Sequence, residues 1–200
     1  MKLRSHSIRL RVEKVALRPM TEDDWPVLLQ WNSDPEVLYF SEGADVQSYT
    51  LEQVQAIYRG VSQKAFCFIA EVDQRPVGEG WLQEMNLPHI LERHPDKDCR
   101  RIDLLIGNKA LWGRGLGSEI IALLTTFAFL TEKADMVFGC SIADYNPRSL
   151  RAFEKSGYQV VETIQEPDGH KAHYSYDVRL TQEQFLLLRR GPKRPRESVG

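Results

Sequence analysis

Cysteine is scarce in this chain: Cys67, Cys99 and Cys140 are the only three in 200 residues. They are odd in number and widely separated, which argues against a disulfide framework and against any paired-ligand or redox motif. Free thiols in a reducing cytoplasm are the expectation. An excess of either charge is also lacking, the formal net value being −2. That balance gives no reason to expect nucleic acid as a partner. No apolar run approaches the ~20 residues of a membrane span, and Met1–His6 lacks the apolar core of a signal peptide. A cytoplasmic location with no membrane contact follows as an expectation. His170 and His173 lie too near each other on a strand to share a face, so no metal is expected. Internal repeats are missing as well.

What remains is an ordinary globular composition, 42% hydrophobic, at a length that suits one domain. The end differs. Arg189, Arg190, Lys193, Arg194 and Arg196 are interleaved with Pro192 and Pro195 and with no aromatic residue. The expected division is a single domain over 1–187 and a basic, disordered, solvated tail over 188–200.

The densest signal is Trp112-Gly113-Arg114-Gly115-Leu116-Gly117-Ser118. Glycines at alternate positions let backbone N–H groups close on a ligand. The helix that follows, about Ser118 to Leu130, carries a broad apolar stripe from Ile120 to Leu130. Its first N–H groups lack intrahelical partners and sit at the positive dipole end, a seat for a pyrophosphate. Arg101–Ile106 reads as the strand feeding the turn. A P-loop is excluded because no lysine precedes Ser118, and a dinucleotide fingerprint because Ile120 or Glu119 stands where a third glycine would fall.

Periodicity supplies the other elements. Strands are expected at Ile8–Val12 with Val15 and Leu17, at 65–71, 77–85 and 136–142, and as a hairpin at 160–166 and 172–180. Helices are expected after Thr21, after Thr50 and over Pro147–Ser156, with Asp34-Pro35 ending a helix or starting a turn. Asn86–Asp98 reads as a long connection. A mixed sheet with helices on its faces fits this order.

A second motif, Asp144-Tyr145-Asn146-Pro147-Arg148-Ser149-Leu150-Arg151-Ala152-Phe153-Glu154-Lys155-Ser156-Gly157-Tyr158, follows the first. In this order and at this separation the pair resembles the GNAT acetyltransferase superfamily. From Val15 to Phe185, through Trp31, the Asp45-Val46…Tyr58 region, Arg101-Ile102-Asp103, Asp144 and Pro167-Asp168-Gly169, the chain is similar to aminoglycoside 6'-N-acetyltransferases. The resemblance implies an α/β (α+β) fold with a mixed, mostly antiparallel central sheet, flanked by helices and splayed between its fourth and fifth core strands. It implies acetyl-CoA as cofactor, held by Leu105, Ile106, Trp112, Gly113, Arg114, Gly115, Leu116, Gly117, Ser118, Asn146, Ser149 and Phe153. It also places Asp103, Asp144 and Asp168 toward a cationic acceptor.

Acetyl transfer needs a polarised carbonyl, a neutral amine and a fate for the thiolate. A backbone N–H near Leu105 or Ile106 would stabilise the oxyanion. An alkyl amine of pKa ~10 arrives protonated, so a carboxylate must take its proton. Asp103 is the first candidate base, since Arg101, Asp103 and Leu105 share a strand face; the alternative pairs it with Arg100 or Arg101. Asp144, at a strand end, is the second candidate, or else a cap. Asp168 is simplest as a turn residue unless the resemblance holds. Trp31 and Tyr39 are expected in the acceptor pocket, where aromatic faces attract cations, and Trp25 in the core. Converging carboxylates suit a polycationic amine.

Phe153 stands where many of the family carry a proton-donating tyrosine. Either Tyr145, Tyr158 or a water replaces it, or the thiolate leaves unprotonated. The leading reading is an acetyl-CoA-dependent N-acetyltransferase of a primary amine, acting by direct transfer in a ternary complex, as monomer or homodimer. A protein N-terminal acetyltransferase of the ribosomal-protein type is the enzyme alternative. A non-catalytic acyl-CoA-binding protein, supported by Phe153, is the other.

Overall fold

Strand β3 (Ala65–Val72) shows why helices cover this sheet on both sides. Phe66, Phe68 and Ala70 join one apolar cluster, while the alternating Ala65, Cys67 and Ile69 join another. A strand buried on two faces needs a helical layer against each. The computed structural model describes residues 1–42 and 46–190. Its other strands are β1 (Leu10–Arg11), β2 (Ala16–Pro19), β4 (Arg75–Glu84), β5 (Cys99–Leu105), β6 (Met136–Ala143), β7 (Gln159–Gln165) and β8 (Tyr174–Thr181). They form one sheet in the order β1-β2-β3-β4-β5-β6-β8-β7. Every neighbouring pair is antiparallel except β5 with β6.

Helices α1 (Trp25–Trp31) and α3 (Leu51–Val61) bring Trp25, Leu28, Val54 and Tyr58 onto the Ala65 face. Helix α5 (Leu116–Leu130) covers the opposite face with Ile120, Leu124 and Phe127, and α6 (Pro147–Lys155) lies beside it through Phe153. Fully burying each such aliphatic or aromatic side chain contributes about 1.5–3 kcal/mol. Close approach of α5 depends on Gly80 in β4, where a Cβ would stand 3.1 Å from Ile120 Cγ2.

The parallel pairing of β5 with β6 is short. It runs from Cys99↔Met136 to Arg101↔Phe138 and then stops, so the two strands part toward their carboxyl ends. These are the fourth and fifth strands of the core if the two-residue β1 is set aside, and the expected splay lies there. Beyond the split β6 is irregular: its register against β8 shifts between Gly139 and Ile142, and Ser141 has φ 53°. Buried Asp177 on β8 holds that irregularity, accepting from the Ser141 N–H at 2.8 Å and meeting His89 Nε2 at 2.9 Å.

Three helices were not expected. Asp34 does not merely end α1; its Oδ1 accepts from the N–H groups of Glu36 and Val37 and starts α2 (Pro35–Ser41). Inside the supposed long connection, Pro88 opens α4 (Pro88–Arg93). Finally, α7 (Gln182–Arg190) continues directly from β8. The expected domain end at 187 therefore falls within a helix, and 188–190 belong to the fold. Residues 191–200 of the expected tail, like Asp45, lie outside the described residues. Among those described, no helix is long and apolar enough to cross a membrane.

Candidate active site

The glycine turn lies between β5 and α5, where its backbone is open. Gly113 and Gly115 have φ of 74° and 86°, a region that costs other L-residues roughly 1–2 kcal/mol. With that geometry the N–H groups from Gly113 to Ser118 are left without hydrogen-bond partners among the described residues. They sit at the N-terminus of a fifteen-residue helix. Trp112 anchors the turn, its Nε1 donating to the Ile106 carbonyl at 2.7 Å.

Around this turn lies a cavity of about 430 Å³. Leu104, Leu105 and Ile106 form one wall, Trp112, Gly113 and Gly115–Ser118 another, and Asn146 with Ser149 a third. Of the twelve expected cofactor residues, ten line it. Arg114 is exposed outside the lining and Phe153 lies deeper, in the neighbouring cavity. Arg148, Arg151 and Lys155 add a basic rim that the sequence reading did not single out. Their spacing of three and then four residues puts them on one face of α6. The Arg148 guanidinium lies 4.4 Å from the Phe40 ring centre and 4.5 Å from that of Trp112. Backbone donors, a helix N-terminus and three cations fit the phosphates of acetyl-CoA.

A second cavity, of about 210 Å³, is continuous with the first and shares Phe40, Ser41, Leu104, Leu105, Asn146 and Ser149 with it. It runs into the gap between β5 and β6. Its walls include Glu42, Tyr58, Glu79, Trp81, Asp103 and Tyr145. Glu79, in β4, is 2% exposed. The Tyr58 hydroxyl donates to its Oε1 at 3.4 Å and accepts from Asn32 Nδ2 at 3.1 Å. Its Oε2 is buried with no partner among the described residues. Burial, reinforced by the Asp103 charge and opposed by the Tyr58 hydrogen bond, pushes the Glu79 carboxyl up to about 8. A carboxylate so poised near neutrality is suited to accept a proton from an ammonium.

Sequence reasoning missed Glu79. The signal was a charged residue between Gly78 and Gly80 inside a strand, where a Cβ at Gly78 would stand 2.3 Å from the Leu105 carbonyl oxygen. Such glycines mark close backbone approach, and the charge between them then has little access to water.

The expected acceptor residues divide. Asp103 does line the second cavity, but both its oxygens are held by Arg101, at 2.6 and 2.8 Å. The alternative pairing foreseen for it is present. Asp144 points elsewhere: its Oδ2 accepts from the N–H groups of His173 and Tyr174, both at 3.2 Å, and it lines neither cavity. Its carboxylate ties the turn after β6 to the start of β8, and the cap of α6 is Asn146 instead. Asp168 is an exposed turn residue beside Gly169 at φ 88° and also lines neither. Trp31 is 4% exposed and packed against Gly107, so it belongs to the core with Trp25. Tyr39 is exposed and packs against Tyr145 at the border of the second cavity. Of the tyrosines considered in place of Phe153, Tyr158 is buried against Thr125, its hydroxyl 2.7 Å from Oγ1, whereas Tyr145 lines the cavity.

Known proteins agree with this geometry. A family model described as the acetyltransferase (GNAT) domain matches residues 14–159. The chain is 26% identical over 175 residues to an aminoglycoside N(6')-acetyltransferase type 1 of Klebsiella pneumoniae, covering 78% of this chain and 80% of that one. A solved aminoglycoside acetyltransferase AAC(6')-Ib, in complex with coenzyme A and kanamycin, superposes with a TM-score of 0.72 at 26% identity, covering 88% and 99% of the two chains. A spermidine N-acetyltransferase of Vibrio cholerae gives 0.70 over 86% and 98%, at an identity of 15% that speaks only for the fold. With the open amide turn, the split sheet and a family match across most of its length, this chain belongs to the GNAT acetyltransferases, enzymes that move an acetyl group from acetyl-CoA to an amine.

Proposed function

We propose that the chain acetylates the 6'-amine of an aminoglycoside, by direct attack on acetyl-CoA within a ternary complex, and so supports resistance to that antibiotic. The observation that carries this reading is the second cavity: Glu42, Glu79 and Asp103 meet Tyr58, Trp81 and Tyr145 beside the donor cavity. Carboxylates converging in a cleft with low-dielectric walls focus their field on incoming cations, and aromatic faces suit ammonium groups and sugar rings. The names of the relatives point the same way.

In this account the N–H groups of 113–118 and the α6 cations hold the pyrophosphate. A backbone N–H near Leu105 or Ile106 meets the oxyanion. Glu79 takes the proton from the amine, directly or through one water, and Asp103 with its partner Arg101 sets the charge around it. No tyrosine replaces Phe153 in kind. The CoA thiolate is a good enough leaving group to depart without a dedicated acid, and Tyr145 and Ser149 bring hydroxyl-bearing side chains to the cleft wall.

The test is thiol release from acetyl-CoA over a panel of kanamycin-type aminoglycosides, linear polyamines and peptides with free N-termini. Turnover should be greatest with the aminoglycosides, and Glu79→Gln should lower kcat by about 10²–10⁴-fold with the acetyl-CoA KM little changed. Preference for the peptides would transfer the assignment to protein N-terminal acetylation. Acetyl-CoA binding without thiol release on any amine would make the chain an acyl-CoA-binding protein.

A further inference from the structure

At the edge of the second cavity the chain places one of its own ammonium groups in a cage. Lys171, from the loop joining β7 to β8, has Nζ 3.7 Å from the ring centre of Tyr39 and 4.6 Å from that of Tyr145. The same Nζ donates to the Tyr39 carbonyl oxygen. The two rings lie 5.3 Å apart, and the Tyr145 hydroxyl donates to the Glu42 carbonyl at 3.2 Å, tying the end of α2 to the turn after β6. The Glu42 side chain is close enough for its charge to feel that of Lys171. Two π-faces, a carbonyl acceptor and a nearby carboxylate are the complement of a primary ammonium.

We propose that this cage is a subsite for a second ammonium group of a polycationic acceptor, and that Lys171 fills it until the acceptor displaces it. The inference rests on the reading of the second cavity as the acceptor site. Tyr145 belongs to the cage and, together with Glu42 and Glu79, lines the cavity, the route by which an acceptor with one amine at Glu79 would bring another to the cage. Lys171 reaches across from a loop that turns at Gly169, φ 88°. The chain thereby competes with its own substrate. Acceptors that bring a second cation gain the cage only by evicting Lys171, and monoamines leave it in place.

The experiment compares kanamycin with 6-amino-6-deoxyglucose, a sugar with a similar reacting amine and no other ammonium. In Lys171→Met, which keeps the apolar stem, the kanamycin KM should fall about 3- to 10-fold relative to that of the monoamine sugar. Tyr39→Leu should raise the same ratio. Thermal melts of both variants identify any loss of fold, and calorimetric titration of kanamycin onto the CoA-loaded parent and Lys171→Met proteins gives affinity without turnover. Tighter kanamycin binding by Lys171→Met supports the cage. An unchanged KM ratio in both folded variants, or equal calorimetric affinities, overturns it. If the parent acetylates neither acceptor, the proposed function falls while the calorimetry still decides the cage.

Discussion

Glu79 is the base in the proposed reaction, and its burial has consequences beyond turnover. Its carboxyl titrates near 8 in the fold and near the ordinary 4.5 in the unfolded chain. A pKa raised by folding means that the folded state prefers the protonated form. Its contribution to stability is fully present below pH ~4.5 and is lost as pH rises through about 8. Glu79→Gln removes that titration. The variant should therefore gain in Tm over the parent as pH goes from 5 to 8.5, by a few degrees, since ~1 kcal/mol moves Tm by ~2–4 °C in a chain this size. Melting curves at several pH values read this directly; a constant difference would show that Glu79 is not buried as a titrating group.

Asp103 gives a second test at the same scale. Its charge is one of the two causes that raise Glu79. Asp103→Asn should move the rising limb of kcat/KM against pH to lower pH, whereas Glu79→Gln should abolish the limb assigned to Glu79. The amine's own titration is common to all three proteins and serves as the reference. Were Asp103 itself the base, its Asn variant would lose the limb and Glu79→Gln would keep it.

Among the elements, α6 bears the greatest functional load. It starts at Asn146, whose Oδ1 accepts from the Ser149 N–H at 3.3 Å and whose Nδ2 donates to the Phe40 carbonyl at 3.1 Å. One side chain thus caps α6 and fixes α2 against it, where the two cavities join. The outer face of α6 offers Arg151 and Lys155 to the donor cavity. Replacing either by Ala should raise the acetyl-CoA KM about tenfold at low ionic strength and by less at high salt, which screens the contact in the parent, with kcat nearly unchanged. Steady-state kinetics at two ionic strengths checks this. A loss in kcat with KM intact would assign the cations to something other than donor binding.

Elements also show where sequence reasoning succeeds. The β3 and β5 alternation, the Thr50 capping box and the glycine turn are all local signals, and the structure keeps them within a residue or two. The open turn before α5 was legible because it is made of backbone: glycines and a following helix are enough to define it. Short helices were harder. Asp34-Pro35 carried the chemistry of a cap and a first helical residue, yet the same pair also marks turns. At α7 a capping box, with Gln184 accepting from the Thr181 N–H at 2.9 Å, was overlooked beside the basic residues that follow. Glu79 depends on Asn32, Tyr58 and Asp103, which come from three other elements, so no window around residue 79 contains its environment. Asp144 illustrates the converse. Its residue type allowed a cleft, a helix cap or a turn; Asn146 takes the cap, and Asp144 sits in the turn with its carboxylate on the His173 and Tyr174 N–H groups.

For the whole molecule, function follows from one topological event. The sheet is antiparallel up to β5, and the single parallel pair then opens after Arg101. Ligands in α/β sheets favour the crevice where neighbouring strands part at their carboxyl ends. Here α5 supplies the donor side of that crevice, while β4 and β6 supply the acceptor side. Asp177 keeps the gap in shape through Ser141. The proposed function is that the 6'-amine of an aminoglycoside meets acetyl-CoA in this crevice and takes its acetyl group. Its most direct test is to incubate the chain with acetyl-CoA and kanamycin and to locate the acetylated nitrogen by NMR. A single acetyl group on the 6' nitrogen, with one thiol released for each, is the predicted result. Intact kanamycin in the presence of bound acetyl-CoA, or an acetyl group on a different nitrogen, would contradict it.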